Sequence, residues 1–82
     1  MFLHLGANVV VPKKDIVAIL EINKKISPIT KEFLEIARDE GFIRNVSEIN
    51  KEKTYLVATD KVYISPISCA TLKKRSDSII DL

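Results

Sequence analysis

The chain has 82 residues, enough for one domain around one small core and too few for a multidomain enzyme or a Rossmann-sized cofactor cradle. Apolar residues make up 46% and charged residues 29%, with 13 Lys and Arg against 11 Asp and Glu. This is the balance of a globular domain, and the formal net charge of +2 does not by itself imply a nucleic-acid or membrane partner.

Phe2 to Leu5 is a short apolar run ended by Gly6, and Val9, Val10 and Val11 follow Asn8. The pattern predicts two short strands around a tight Gly6-Ala7 turn. Pro12 has no N–H for a central ladder and breaks the run, so Pro12 to Asp15 is expected to form a charged turn. Between Ile16 and Ile22, Ile16, Ala18, Leu20 and Ile22 share one face while Val17 and Ile19 share the other. Apolar residues on both faces predict a central, doubly covered strand.

Ser27 suits an N-cap and Pro28 the first helical position, where its missing N–H costs nothing. Ile29, Phe33, Ile36 and Ala37 recur at the spacing of a buried stripe, with Leu34 at its margin, and Gly41 falls where a left-handed cap belongs. Residues 28–40 are therefore predicted to be an amphipathic helix, with Lys31, Glu32, Glu35, Arg38, Asp39 and Glu40 outward. Phe42 to Val46, Thr54 to Thr59 and Val62 to Ile64 read as strands, the last two joined as a hairpin through Asp60-Lys61. Pro66 ends the final strand, Ser68 caps a short helix over Cys69 to Arg75, and residues 76–82 are expected to be a tail behind a single domain of residues 1–75. The order β-β-β-α-β-β-β-α predicts an α+β fold, a mainly antiparallel sheet with one packed amphipathic helix and a short C-terminal helix.

Catalytic constellations are scarce. His4 is the only histidine and lies in an apolar strand with no nucleophile marked beside it, so a structural role is expected. Glu32 and Glu35 beside Lys31 and Arg38 form an ordinary solvated helix face. Two glycines cannot build a phosphate-cradling loop. Cys69 is the only cysteine, which rules out an internal disulfide and, with a single histidine, a zinc site within one chain. At a helix start the dipole could lower its thiol pKa, but packing under the C-terminal helix is the expected role. Neither an enzyme activity, a metal, a cofactor nor a small-molecule substrate is expected. Without a signal peptide or a long apolar segment, a cytoplasmic protein with no membrane partner is expected.

The charge is unevenly placed. Residues 13–25 carry Lys13, Lys14, Lys24 and Lys25 against Asp15 and Glu21, whereas residues 28–41 carry two cations against four acids. Residues 61–82 carry Lys61, Lys73, Lys74 and Arg75 against Asp77 and Asp81. Such a dipolar surface can orient on a polyanion or dock head-to-tail on a copy of itself.

The opening Met1-Phe2-Leu3-His4-Leu5-Gly6, the run Val9-Val10-Val11-Pro12-Lys13-Lys14-Asp15-Ile16-Val17-Ala18-Ile19 and the helix segment Lys31-Glu32-Phe33-Leu34-Glu35-Ile36-Ala37-Arg38 form one ordered pattern. It continues through Thr59-Asp60-Lys61-Val62-Tyr63-Ile64-Ser65-Pro66-Ile67-Ser68 and closes on Thr71-Leu72-Lys73-Lys74-Arg75. Over residues 1–75 the chain resembles the extracellular matrix regulatory protein B family, sister to extracellular matrix regulatory protein A, a DNA-binding activator of biofilm matrix genes. The resemblance implies a LytTR-like fold assembled as a homo-oligomeric ring whose basic residues meet the backbone of double-stranded DNA. Carried over by position, the basic turn before the third strand matches Lys14, with Lys13 beside it, and the basic pair before the penultimate strand falls near Lys51 and Lys53. Lysines stand here where the sister group tends to use arginines, and Glu52 stands between two of them. Lysine neutralises phosphate without the bidentate fork of arginine. The expected function is a transcriptional regulator acting as a ring; the alternative is an assembly or protein-interaction module that kept the ring without DNA binding.

Overall fold

A computed structural model of the chain describes residues 1–22 and 27–80, with side chains as far as Ser76. Strands β1 (Phe2–Gly6) and β2 (Val9–Pro12) lead through a 3-10 turn (Lys13–Asp15) to β3 (Ile16–Glu21). Helix α1 (Pro28–Asp39), strands β4 (Ile43–Asn45), β5 (Thr54–Ala58) and β6 (Val62–Ser65), and helix α2 (Cys69–Ile80) follow. The order is the one expected, and the class is α+β.

β1 and β2 form a separate antiparallel ribbon. Their turn holds Ala7 and Asn8 at φ 47° and 63°, the left-handed pair that matches the twist of a tight hairpin. The other strands make a four-stranded sheet in the order β3-β5-β6-β4. β3-β5 and β5-β6 pair antiparallel, and β4-β6 pairs parallel, so the sheet is mixed.

Side chains alternate along β5 and divide the core in two. Leu56 and Ala58 join Leu3, Leu5, Val11, Tyr63 and Leu72 under the ribbon and α2, while Val57 joins Val62, Leu34 and Ala37 under α1. The protein is thus three layers: ribbon with α2, sheet, and α1. Ser65 Oγ, fully buried, donates 2.7 Å to the Leu5 carbonyl, and Thr54 Oγ1 donates 2.8 Å to the Ile67 carbonyl, tying sheet to ribbon and to the approach to α2.

Both helices start as expected. Ser27 Oγ accepts from Thr30 N and Ser68 Oγ from Thr71 N, each at 3.2 Å. α1 ends in paired bonds, Phe42 N to Ala37 O at 2.8 Å and Gly41 N to Arg38 O at 3.1 Å, with Gly41 at φ 77°. This is the Schellman arrangement, which glycine permits because it has no Cβ.

Three expectations need correction. Among the described residues β3 is an edge strand, pairing with β5 alone. Its faces are half-covered, by the ribbon layer over Ile16 and Ile19 and by α1 over Ala18 and Leu20, so Ile16 lies on the face opposite the predicted one. Hydrophobic pattern reports covered faces and is silent about edges. A register irregularity between Ile16 and Ala18 puts Ile16 and Ile19 on one side and leaves Val17 exposed, as a bulge does on an edge. Secondly, α1 buries Leu34 and Ala37, while Ile29, Phe33 and Ile36 are 80%, 47% and 54% exposed. Ala37 is buried as predicted, and the stripe centres on it and on Leu34, which was placed at the margin, turned away from Ile29, Phe33 and Ile36. Ala37 lets the helix lie close on Val57 and Val62, which a larger side chain there would prevent. Thirdly, α2 runs to Ile80 instead of ending at Arg75. Ser76-Asp77-Ser78 has weak helix propensity, and the Lys13 ammonium ties the start of this extra stretch at the Ser76 carbonyl.

Candidate functional site

Lys13 and Lys14 stand on the 3-10 turn between β2 and β3. The backbone N–H of Lys13 bonds the Met1 carbonyl at 2.9 Å, closing the ribbon, and its ammonium donates 2.7 Å to the Ser76 carbonyl in α2. Lys13 is therefore half-buried and clasps α2 to the ribbon; Lys14 beside it is exposed. Arg75 Nη1 reaches the His4 carbonyl at 3.5 Å, a second tie between the same elements.

Lys51 and Lys53 precede β5. Ser47 N donates 2.8 Å to Asn45 Oδ1, and Lys51 N donates 3.1 Å to the Glu48 carbonyl across a turn with Asn50 at φ 66°. Lys53 is held on both sides: its N–H donates 3.0 Å to Ser65 O, and its carbonyl accepts from Ile22 N at 3.1 Å. The side chains of Lys51 and Lys53 are exposed, whereas Glu52 between them is half-buried. Its Oε1 is enclosed and meets no hydrogen-bond partner among the described residues.

The two predicted lysine sites do not meet within one protomer. Thr59 N bonds Asp15 O at one end of β5, and Ile22 N bonds Lys53 O at the other. Six residue steps of extended chain separate these bonds, about 20 Å at roughly 3.3 Å per residue. Lys14 and the pair Lys51 and Lys53 thus occupy opposite ends of the strands. The Lys14 end also receives the β5-β6 turn with Lys61, and Arg44 joins Lys61 in lining a shallow groove with Gly41, Phe42, Ile43 and Asp60. Lys61 was counted only in the basic C-terminal stretch, and Arg44 was not singled out. The available signal was that Lys61 occupies the hairpin turn before β6 and Arg44 the middle of a short strand, positions that the parallel β4-β6 pairing brings near each other. Lys24 and Lys25 lie outside the described residues.

His4 lies on the exposed face of the ribbon. Cys69 is half-buried at the start of α2, its Sγ 3.9 Å from the Ile19 carbonyl, a packing position. Among the described residues no three His, Cys, Asp or Glu side chains converge as metal ligands, and no helix is long and apolar enough to cross a membrane.

A family model described as extracellular matrix regulatory protein A-like matches residues 2–75. Extracellular matrix regulatory protein B of Bacillus subtilis (strain 168) is 35% identical over 83 residues, covering 100% of this chain and 98% of that protein. Both names are those of regulators.

Proposed function

The chain belongs to the extracellular matrix regulatory protein A-like family, and from that premise we propose a cytoplasmic, DNA-binding transcriptional regulator of biofilm and matrix genes that acts as a homo-oligomeric ring of LytTR-like protomers. The observation that carries DNA binding is the alternation at residues 51–53. Lys53 faces solvent from a backbone pinned to β6 and to Ile22 just past β3, Lys51 faces it from a turn closed on the Glu48 carbonyl, and the carboxylate between them is partly withdrawn. Pinned lysines keep a fixed spacing toward a phosphate backbone, and such contacts position a duplex without reading its bases.

Multiplicity supplies what one protomer lacks. Its radius of gyration is 12.3 Å, so it meets only a few phosphates. Repetition of Lys14, Lys51 and Lys53 around a ring multiplies phosphate contacts without improving any one of them. Lys13, with its ammonium bonded to Ser76, serves the fold first and the duplex second.

A mobility-shift titration at several salt concentrations tests this reading. Each neutralised phosphate contributes a slope of about −0.9 in log K against log salt. The double variant Lys51→Ala, Lys53→Ala should bind all duplexes more weakly with a shallower slope, while keeping the parental size. The assembly-module reading draws on two observations, the Lys13 ammonium turned inward and the Glu52 carboxylate retained between the lysines. It is the one to adopt if the parent assembles yet shifts no DNA at low salt.

A further inference from the structure

Two apolar surfaces remain uncovered, and the three-layer fold puts them on opposite sides. One is the exposed flank of α1, where Phe33 and Ile36 with Phe42 line a groove of about 330 Å³ that opens between the helix and the β5-β6 turn, floored by Val62 and edged by Asp60 and Lys61. The other is the outer face of the ribbon, where Phe2 and Val10 are 61% and 51% exposed beside Met1. Phe2 pairs with Pro12 and His4 with Val10, which sets these side chains on the face turned away from Leu3, Leu5 and Val11.

The two sides also differ in charge. Residues 1–14 and 69–80, which build the ribbon layer, hold Lys14, Lys73, Lys74 and Arg75, with Lys13 bonded inward to the Ser76 carbonyl, against the single acid Asp77. Residues 28–41, which build the α1 layer, hold Glu32, Glu35, Asp39 and Glu40 against Lys31 and Arg38. Either face set against its own copy would bring like charges together, whereas α1 set against the ribbon brings opposite charges together around an apolar centre. A two-fold contact through either face is therefore disfavoured, and a head-to-tail contact is favoured.

We propose that the ribbon of one copy docks on α1 of the next, with Phe2 entering the Phe33-Ile36-Phe42 groove. The proposal rests on the homo-oligomer reading above and names the two halves of its joint. The groove's Asp60-Lys61 edge lies at the Lys14 end of the strands, so the opposite end, with Lys51 and Lys53, stays clear of the joint, repeated once per copy. A standard interface takes about 800 Å² from each partner. Two such joints per protomer cover roughly a quarter of its 5740 Å² surface, a large gain for a core this small.

The test uses two variants of the full chain, Phe2→Glu and Phe33→Glu, each at a partly exposed position, with circular dichroism to verify folding. Each alone should fall from the parental oligomer to a 9.2 kDa monomer in light scattering. Mixed in equal amounts at high concentration, they should double in mass and go no further, because each supplies the half of the joint that the other lacks. Val10→Glu replaces Phe2→Glu should the latter fail to fold. An oligomeric parent with a Phe2→Glu variant of unchanged size, or a mixture that stays monomeric, overturns the joint and leaves the oligomer reading standing. Phe2→Glu of parental size that no longer retains DNA would reassign the ribbon face to the duplex. A monomeric parent overturns the oligomer reading and the joint together.

Discussion

The two faces of the four-stranded sheet are covered to different depths. On the ribbon side, Leu3, Leu5, Leu56 and Leu72 are fully buried, and Ser65 bonds across the layers to the Leu5 carbonyl. On the α1 side the buried set is Leu34, Ala37, Val57 and Val62, and the largest apolar residues of the helix stay outside. A chain of this size can close one face of a sheet with its own residues and leave the other as a plate whose outer surface is apolar. The closed face holds the fold together; the plate is where association can add stability that the isolated protomer lacks.

The sharpest way to break this contrast is to truncate one leucine on each side. Leu56→Ala should cost about 3–5 kcal/mol and Leu34→Ala about 2–3 kcal/mol, since the site under a single exposed helix collapses more easily around the missing atoms. Total stability for a domain this small is about 4–12 kcal/mol, so the Leu56 variant loses a large share. Urea unfolding below the assembly concentration measures both; equal losses would mean that the two sides are equally well sealed.

The cross-layer hydroxyls sharpen the comparison next. Ser65 Oγ both donates to Leu5 O and accepts from Ile67 N at 3.1 Å, so Ser65→Ala strands a buried carbonyl and a half-buried N–H at about 1–3 kcal/mol. Thr54→Val keeps the shape, removes only the bond to Ile67 O, and should cost about 1 kcal/mol. A Ser65→Ala variant as stable as the parent would show that ribbon and sheet are held by apolar contact alone.

The same contrast explains what was legible in the sequence. Helix starts, the Gly41 stop, the Ala7-Asn8 turn and the β5-β6 hairpin follow from local chemistry, and each was placed within a residue or two. Position within the sheet is not local: β3 carries the pattern of a covered strand because both its faces are half-covered, although its edge is open among the described residues. α1 was legible as amphipathic but not as to which face is inward. Ile29, Phe33 and Ile36 share the helical spacing with the buried Ala37, and nothing in that spacing tells that Leu34 turns inward beside Ala37 while the three larger residues face outward. The candidate site divided in the same way. Exposure of Lys14, Lys51 and Lys53 follows from charged turns, whereas the Lys13-Ser76 bond joins residues 63 positions apart that no local pattern connects.

The caps allow a comparison between the two helices at matched chemistry. Ser27→Ala and Ser68→Ala each remove one side-chain acceptor from a first-turn N–H, and each should cost about 1 kcal/mol. Hydrogen exchange separates them: the loss at Ser27 should open α1 alone, since little else fastens that helix. The loss at Ser68 should reach the ribbon through Leu72 and Lys13. Confinement of both effects to their own helices would mean that α2 is no better anchored than α1.

The smallest expected effect on the protomer is the most telling about the plate. Ile36 is half-exposed and outside the buried clusters, so Ile36→Gln should change protomer stability by no more than about 0.5 kcal/mol. Association, by contrast, stabilises the folded state by mass action, so the parent's Tm should rise with protein concentration. In the Ile36→Gln variant that rise should flatten, because a polar amide replaces an aliphatic side chain in the centre of the apolar surface. The comparison is internal to one protein series and independent of DNA. Thermal melts over a hundredfold range of concentration decide it: a parent Tm that does not move would show that the outer face of α1 stays open to water, and a variant Tm that climbs as steeply as the parent's would put the interface elsewhere.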